Sequence, residues 1–207
     1  MTKIYCILMA SGKARRFGEN KLLYKINGQP MINFAVNAAS SDEIAGRLIV
    51  TVHEQVKELM SAAGIPCALH TFPDRNQAIR FGIENLESSI NQDDGILFMP
   101  CDQPGLTRET VSAMCRQFKT DPKRIVRLHD GERPGAPVVF PSSLMKELKE
   151  LPPKCGGSYV IKAHPELVSY YYTKDPRELI DIDTVEDLHK LSQNHPPLQR
   201  PRKSHTA

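Results

Sequence analysis

The chain of 207 residues contains no tryptophan, and its aromatic content is only 6%. A stacking surface for single-stranded nucleic acid, which needs planar side chains beside basic ones, is therefore not expected. Charge of one sign is also missing: the net charge of +3 matches the three basic residues Arg200, Arg202 and Lys203 of a terminal segment that has no acid, which leaves a body near neutral. A nucleic-acid-binding face is not supported. No apolar run approaches the ~20 residues of a membrane span, and the N-terminal run is too short for a signal segment with a cleavage site. The five cysteines, Cys6, Cys67, Cys101, Cys115 and Cys155, form no C-x-x-C pair and no metal-finger spacing. An odd, scattered set fits a reducing cytosol, so a cytoplasmic protein is expected.

Two familiar phosphate loops are absent as well. Gly12 and Gly18 are spaced wrongly for G-x-x-x-x-G-K-[ST], Lys21 precedes Leu22 rather than a hydroxyl residue, and G-x-G-x-x-G lacks its glycines. What is present is an apolar run, Ile4 to Ala10, that ends in Ser11 and Gly12 and opens into Lys13, Arg15, Arg16, Gly18 and Lys21. The spacing is G-x-x-x-R-x-G-x-x-K. Glycines allow the backbone amides to approach an anion, while Arg16 offers a planar fork and Lys21 a mobile point charge. An ordinary basic surface loop explains the same composition. Its position at the carboxyl end of a first strand favours phosphate, because open α/β sheets bind ligands there.

Further along, apolar runs alternate with helical patterns. Strands are expected at 4–10, 47–52, 67–72 and 95–99, then at 124–128, 137–140 and 167–172. Helices are expected from Pro30 to Ala39, over 54–63 and 76–86, from the N-cap Thr107 to Phe118, from Ser142 or Ser143 to before Pro152, over 158–163, and from Asp183-Thr184 to Leu191. This alternation argues for an α/β fold of Rossmann-like three-layer α/β/α type with a mostly parallel central sheet. One domain is expected over 1–192, with a nucleotide-binding part at about 1–123 and an acceptor-binding part at about 124–192. The basic, Pro-rich segment 193–207 is expected to be disordered.

Two acidic stretches complete the pattern. In PCDQP, Asp102 lies just past an apolar strand, over the same sheet edge as the basic loop. A carboxylate there suits Mg²⁺, which is held by one or two carboxylates and by substrate phosphates. The bland alternative, a helix cap, is better served by Thr107. In DIDTVEDL, Asp181 and Asp183 point the same way if extended, and two such carboxylates call for a cation. Asp183 is the candidate second Mg²⁺ ligand and Asp181 the alternative; Asp183 or Thr184 as a helix N-cap competes with both.

The first loop, DQP and DIDTVEDL together resemble the signature of nucleotidyltransferases related to molybdenum cofactor cytidylyltransferase and guanylyltransferase, on residues 4 to about 191. The resemblance implies a nucleotide-diphospho-sugar transferase type of fold and a Mg²⁺-dependent transfer of CMP from CTP to molybdopterin or molybdenum cofactor, with loss of pyrophosphate. It makes Arg16, Lys21 and Asp102 the catalytic candidates. The nucleotide would meet Ala10, Ser11, Gly12, Lys13, Arg16, Gly18 and Lys21, and the metal Asp102 and Asp183. The base-reading S-[LV]-x-x-G segment corresponds to Gln77, Ala78 and Gly82, with Ala78 at the Ser position, so Asn76 or Gln77 would have to substitute. Gly135-Ala136-Pro137 matches a G-x-P near the acceptor, making Gly135, Pro137 and Gly156 acceptor-site candidates. PPKCGGSYVIK lacks the Asp and Arg of the cytidylyl pattern G-D-x-G-[AS]-R, and Lys154 is a possible source of the missing charge. Ser11 stands where the guanylyl branch has Gly, and its side chain narrows the base site, so CTP is expected over GTP. GTP as donor, a sugar phosphate as acceptor, and a non-catalytic cofactor carrier remain alternatives. An apo molybdoenzyme or its maturation chaperone is the expected protein partner.

Overall fold

The computed structural model describes residues 1–12, 20–184 and 186–188. Lys13, Arg16 and Gly18, the end of the last expected helix and the segment 193–207 lie outside them.

Strand β1 (Ile4–Ala10) is buried on both faces, which is why it reads as a continuous apolar run. Ile4, Cys6, Leu8 and Ala10 enter one core and Ile7 the other. After a 3₁₀ turn at Lys21–Leu23 comes a minimal hairpin, β2 (Lys25–Ile26) and β3 (Gln29–Pro30). Asn27 and Gly28 close it with φ of 51° and 83°, the paired positive values of a type I′ turn. The hairpin takes Pro30, so the expected helix starts later, as α1 (Ile32–Ala38).

The following elements are β4 (Gly46–Thr51), α2 (Glu54–Ala62), β5 (Cys67–Leu69), α3 (Arg75–Glu84), β6 (Gly95–Pro100) and α4 (Arg108–Thr120). Then come β7 (Ile125–His129), β8 (Pro134–Pro141), α5 (Met145–Lys149), α6 (Ser158–Ala163) and β9 (Val168–Tyr172). Thr107 caps α4, its Oγ1 accepting from the Thr110 amide at 3.2 Å. Strand β5 stops at Leu69, short of the expected Phe72, and β8 is longer than expected because it pairs on both sides.

The seven-stranded sheet has the order β5-β4-β1-β6-β8-β7-β9, and β8 alone runs against the rest. The reversal follows from the short β7–β8 connection, where Asp130 Oδ1 accepts the Glu132 and Arg133 amides and Gly131 has φ of 101°. Helices α1, α2 and α4 cover one face through Ile32, Met60 and Phe118; α3, α5 and α6 cover the other through Ile79, Leu148 and Val160. The result is a three-layer α/β/α fold. The chain leaves β1 towards β4 and returns on the opposite side at β6, so the carboxyl ends of β1 and β6 flank a topological switch point. All five cysteines are unpaired thiols, and burial pushes Cys115 up to about 12. No helix among the described residues is long and apolar enough to cross a membrane.

Candidate active site

Lys21 stands at the switch point. Asn20 Oδ1 accepts from the Leu22 amide and nucleates the 3₁₀ turn that turns the Lys21 side chain inward, leaving the residue 6% exposed. Its Nζ donates to Asp102 Oδ2 at 2.8 Å, to Asp183 Oδ1 at 2.8 Å and to the Ile182 carbonyl at 3.1 Å. Burial by itself would lower the Lys21 pKa, but hydrogen bonds and charge from Asp102 and then Asp183 outweigh it and hold the pKa above the ordinary value. Three residues far apart in sequence thus form one ion cluster.

The segment that delivers Asp183 is tied down twice. The Ile182 amide donates to the Asp102 carbonyl at 2.9 Å. Upstream, the buried Glu178 accepts from the Thr107 amide at 3.0 Å, the Thr107 hydroxyl at 2.5 Å, the Thr110 hydroxyl at 2.8 Å and the Thr173 hydroxyl. The competing cap role belongs to Thr184: its Oγ1 accepts from the Asp187 amide, while Asp187 Oδ2 accepts from the amides of Asp183 and Thr184. The Asp183 carboxylate is left for Lys21. Asp181 points elsewhere, accepting from Gln103 Nε2 at 2.9 Å. Desolvation of its carboxyl group, followed by the charge of Asp102, pushes its pKa up even though much of the residue reaches solvent.

Asp102, Asp183 and the Ile182 carbonyl converge on a single cationic nitrogen, so this hard-oxygen set already surrounds a cation. It is the donor chemistry that Mg²⁺ takes. Among the described residues no group of three or more His, Cys, Asp or Glu side chains could hold a metal. Two carboxylates fit an ion that draws its remaining ligands from water and substrate phosphates.

Ser11, which follows β1, is held by a residue the sequence did not single out. Ser11 Oγ lies 2.7 Å from His70 Nε2 and donates to the Val50 carbonyl at 3.1 Å. The Phe72 amide donates to His70 Nδ1 at 3.1 Å, which makes Nε2 the protonated nitrogen and Ser11 Oγ its acceptor. Burial lowers the His70 pKa, keeping the ring neutral. The ring stacks on Phe72 at 5.3 Å between centroids. Ser11 and His70 are 59 residues apart, so only the folded sheet reveals the pair.

A cavity of about 590 Å³ runs from this loop across the sheet edge. Ser11, Gly12, Lys21, Ala78, Asp102, Gly135 and Gly156 line it, as expected of site residues, and so do His70, Arg75, Arg127 and Asp181. Five expected positions do not: Asp183 reaches it only through its bond to Lys21, and the other four lie elsewhere. Ala10 is buried in the core of the opposite face, because strand side chains alternate. Gln77 is exposed on α3, off the cavity wall. Gly82 serves packing: a Cβ there would lie 2.9 Å from Ile7 Cγ2, so the glycine lets α3 approach the sheet. Pro137 shares its strand parity with Val139 and is off the cavity, whereas Val138 and Phe140 line it. Lys154 is exposed and also off the wall.

Comparison with known proteins places the fold and the family. Residues 6–168 match the model of the MobA-like NTP transferase domain. A curated relative, the molybdenum cofactor guanylyltransferase of Vibrio atlanticus (strain LGP32), is 25% identical over 194 residues, covering 90% of this chain and 94% of its own. The crystal structure of Rv0371c from Mycobacterium tuberculosis H37Rv superposes with a TM-score of 0.78 at 18% identity, covering 92% of this chain and 98% of that one. The same protein has been solved in complex with manganese. CMP:2-keto-3-deoxy-manno-octonic acid synthetase complexed with CTP superposes with a TM-score of 0.70 at 13% identity, covering 92% and 97%. These neighbours share the fold, and the match over 6–168 settles the family: the chain belongs to the MobA-like NTP transferases and is a nucleotidyltransferase.

Proposed function

We propose that the protein is a Mg²⁺-dependent enzyme that transfers CMP from CTP to molybdopterin or its molybdenum form, releasing pyrophosphate. The observation that carries this reading is the convergence of Lys21, Asp102 and Asp183 at a cavity that opens beside Ser11 and Gly12. Asp102 and Asp183 would hold the ion, which when bound supplies neutralising charge and aligns both reactants. The backbone at Ser11 and Gly12 faces the triphosphate, with the further loop positions Lys13, Arg16 and Gly18 assigned from the sequence. Lys21 shifts its bonds from the carboxylates to the phosphates and neutralises charge developing on the α-phosphate and leaving group. A phosphate acceptor is already an anion at pH 7, so the residues need not remove a proton. Positioning and charge account for the rate.

The base is bounded by Ser11, His70, Phe72 and Ala78. Ser11 Oγ is fixed between His70 and the Val50 carbonyl, and a fixed side chain beside Gly12 favours the smaller pyrimidine. The second reading is GTP as donor, which the name of the Vibrio atlanticus relative favours. Pyrophosphate release is the test, with Mg²⁺, molybdopterin and each of the four nucleoside triphosphates in turn. Release with CTP alone is expected. Release with GTP alone moves the base to the second reading, and release with none overturns the reaction.

A further inference from the structure

The end of the cavity near Gly135 and Gly156 carries cationic groups that no carboxylate among the described residues neutralises. Arg127, Val138 and Phe98 lie in one row across β7, β8 and β6, so their side chains share a face of the sheet. Phe140, two residues along β8, extends the same face and meets Phe98 edge-on at 5.9 Å. Phe98 and Val138, on adjacent strands ~5 Å apart, make a small apolar floor, and Phe140 backs it, buried beneath Gly157.

Arg127 stands at one side of this floor. Its Nε donates to the Gly135 carbonyl at 3.1 Å and its Nη2 to the Pro134 carbonyl at 3.3 Å. Those bonds use two of five guanidinium donors and leave three for a ligand. Among the described residues Arg127 has no carboxylate partner, and its partial burial lowers its pKa. Desolvated charge without a counter-ion is costly, and an arriving anion removes that cost.

Arg75 stands at the other side. Gly157 sits over Phe140, where a Cβ would come within 2.9 Å of Cζ. Arg75 crosses the neighbouring Gly156, where a Cβ would lie 2.9 Å from its Cδ. Asn76 fixes this arrangement: its Nδ2 donates to the Leu151 carbonyl at 3.3 Å and its Oδ1 accepts from the Lys154 amide at 3.3 Å. Arg75 has no hydrogen-bonded or ion-paired partner among the described residues. Asp74 lines the same wall but forms no ion pair with either arginine. Arg133, nearby, is engaged by Asp130 at 3.6 Å.

We propose that Arg75 and Arg127 are the anion-binding pair of the acceptor subsite, taking the phosphate monoester of an acceptor whose flat ring rests on Phe98 and Val138. Arg75, reaching in from α3 across Gly156, supplies the guanidinium that the PPKCGGS segment lacks. This inference rests on the proposed nucleotidyl transfer to a phosphorylated acceptor. The test uses the full chain and two fluorescent probes, neopterin monophosphate and neopterin, in direct binding titrations without nucleotide. The wild-type protein is expected to bind the phosphorylated pterin at least tenfold more tightly than neopterin. Arg75→Met and Arg127→Met should each erase most of that preference, and Arg127→Lys should keep part of it. Affinity for CTP with Mn²⁺ should stay within twofold in Arg75→Met, which changes an exposed residue and should leave the fold intact. Equal binding of the two pterins by the wild type, binding of neither, or an unchanged preference in both Met variants overturns the assignment. Those results would leave pyrophosphate release from a triphosphate, and so the proposed function, standing. An arginine-dependent preference in a protein that turns over no triphosphate would sink the function and keep the subsite.

Discussion

Replacing Lys21 by Met separates its structural and chemical roles. Methionine keeps most of the buried stem and deletes the ammonium that bridges Asp102 and Asp183 at 2.8 Å each. The Asp102 carboxylate is 25% exposed, so losing its partner leaves a partly desolvated charge; hydrogen bonds of this charged type contribute about 1.5–3 kcal/mol. The Asp183 side chain is 59% exposed, and its pair adds at most ~1 kcal/mol. A loss of about 2 kcal/mol is expected, which for a chain of this size lowers Tm by ~4–8 °C. Two unneutralised carboxylates should then bind a divalent cation better than the wild type does. Mn²⁺ alone should raise the Tm of Lys21→Met more than that of the wild type. Turnover should fall by well over tenfold, more than ~1.4 kcal/mol of barrier. Thermal melts with and without Mn²⁺ read the first two effects and pyrophosphate release the third. An unchanged Tm, an equal Mn²⁺ response in both proteins, or turnover within tenfold would refute the reasoning.

Other perturbations probe the supports around the site. His70 is kept neutral by burial, so the unfolded chain takes up a proton near pH ~6.5 that the native ring refuses. Stability from this group is present above that pH and is lost as pH falls below it; His70→Gln should flatten the drop in Tm between pH 7.5 and 5.5. Glu178→Ala strands donors from Thr107, Thr110 and Thr173 in a buried setting, and a loss of about 3 kcal/mol in urea melts is expected, with weakened turnover as the Asp183 segment loosens. Gly82→Ala forces a Cβ to 2.9 Å from Ile7 Cγ2 and should cost about 1–3 kcal/mol while leaving the KM for nucleotide unchanged. A raised KM at unaltered stability would make Gly82 a ligand contact instead.

Some of this architecture is legible in the sequence because local physics decides it. The apolar runs of β1 and β6 announce central strands, since both faces are buried, and Thr107 announces α4 by capping it. The end of β5 is not legible, because the docking of His70 ends the strand, whereas Pro30 goes to a local hairpin whose Asn27-Gly28 turn competes with the helix start. In the site, spacing picks out Lys21, Asp102 and Asp183, but not that they meet, nor that Thr184 frees Asp183 by taking the cap. His70, Glu178, Arg75 and Arg127 leave no local signal at all. His70 and Glu178 act on partners 59 and 68 residues away, Arg127 is set by the β7–β8 pairing, and Arg75 reaches the cavity only because α3 packs beside Gly156, so these roles exist only once the sheet has formed.

The most direct test of the account is transfer of label from α-³²P-CTP to molybdopterin by the wild-type protein and by Asp102→Asn. The account predicts labelled product from the wild type with Mg²⁺, none without a divalent ion, and at least a hundredfold less from Asp102→Asn at matched folding. Label transfer that persists in Asp102→Asn, or that proceeds without any divalent ion, would contradict it.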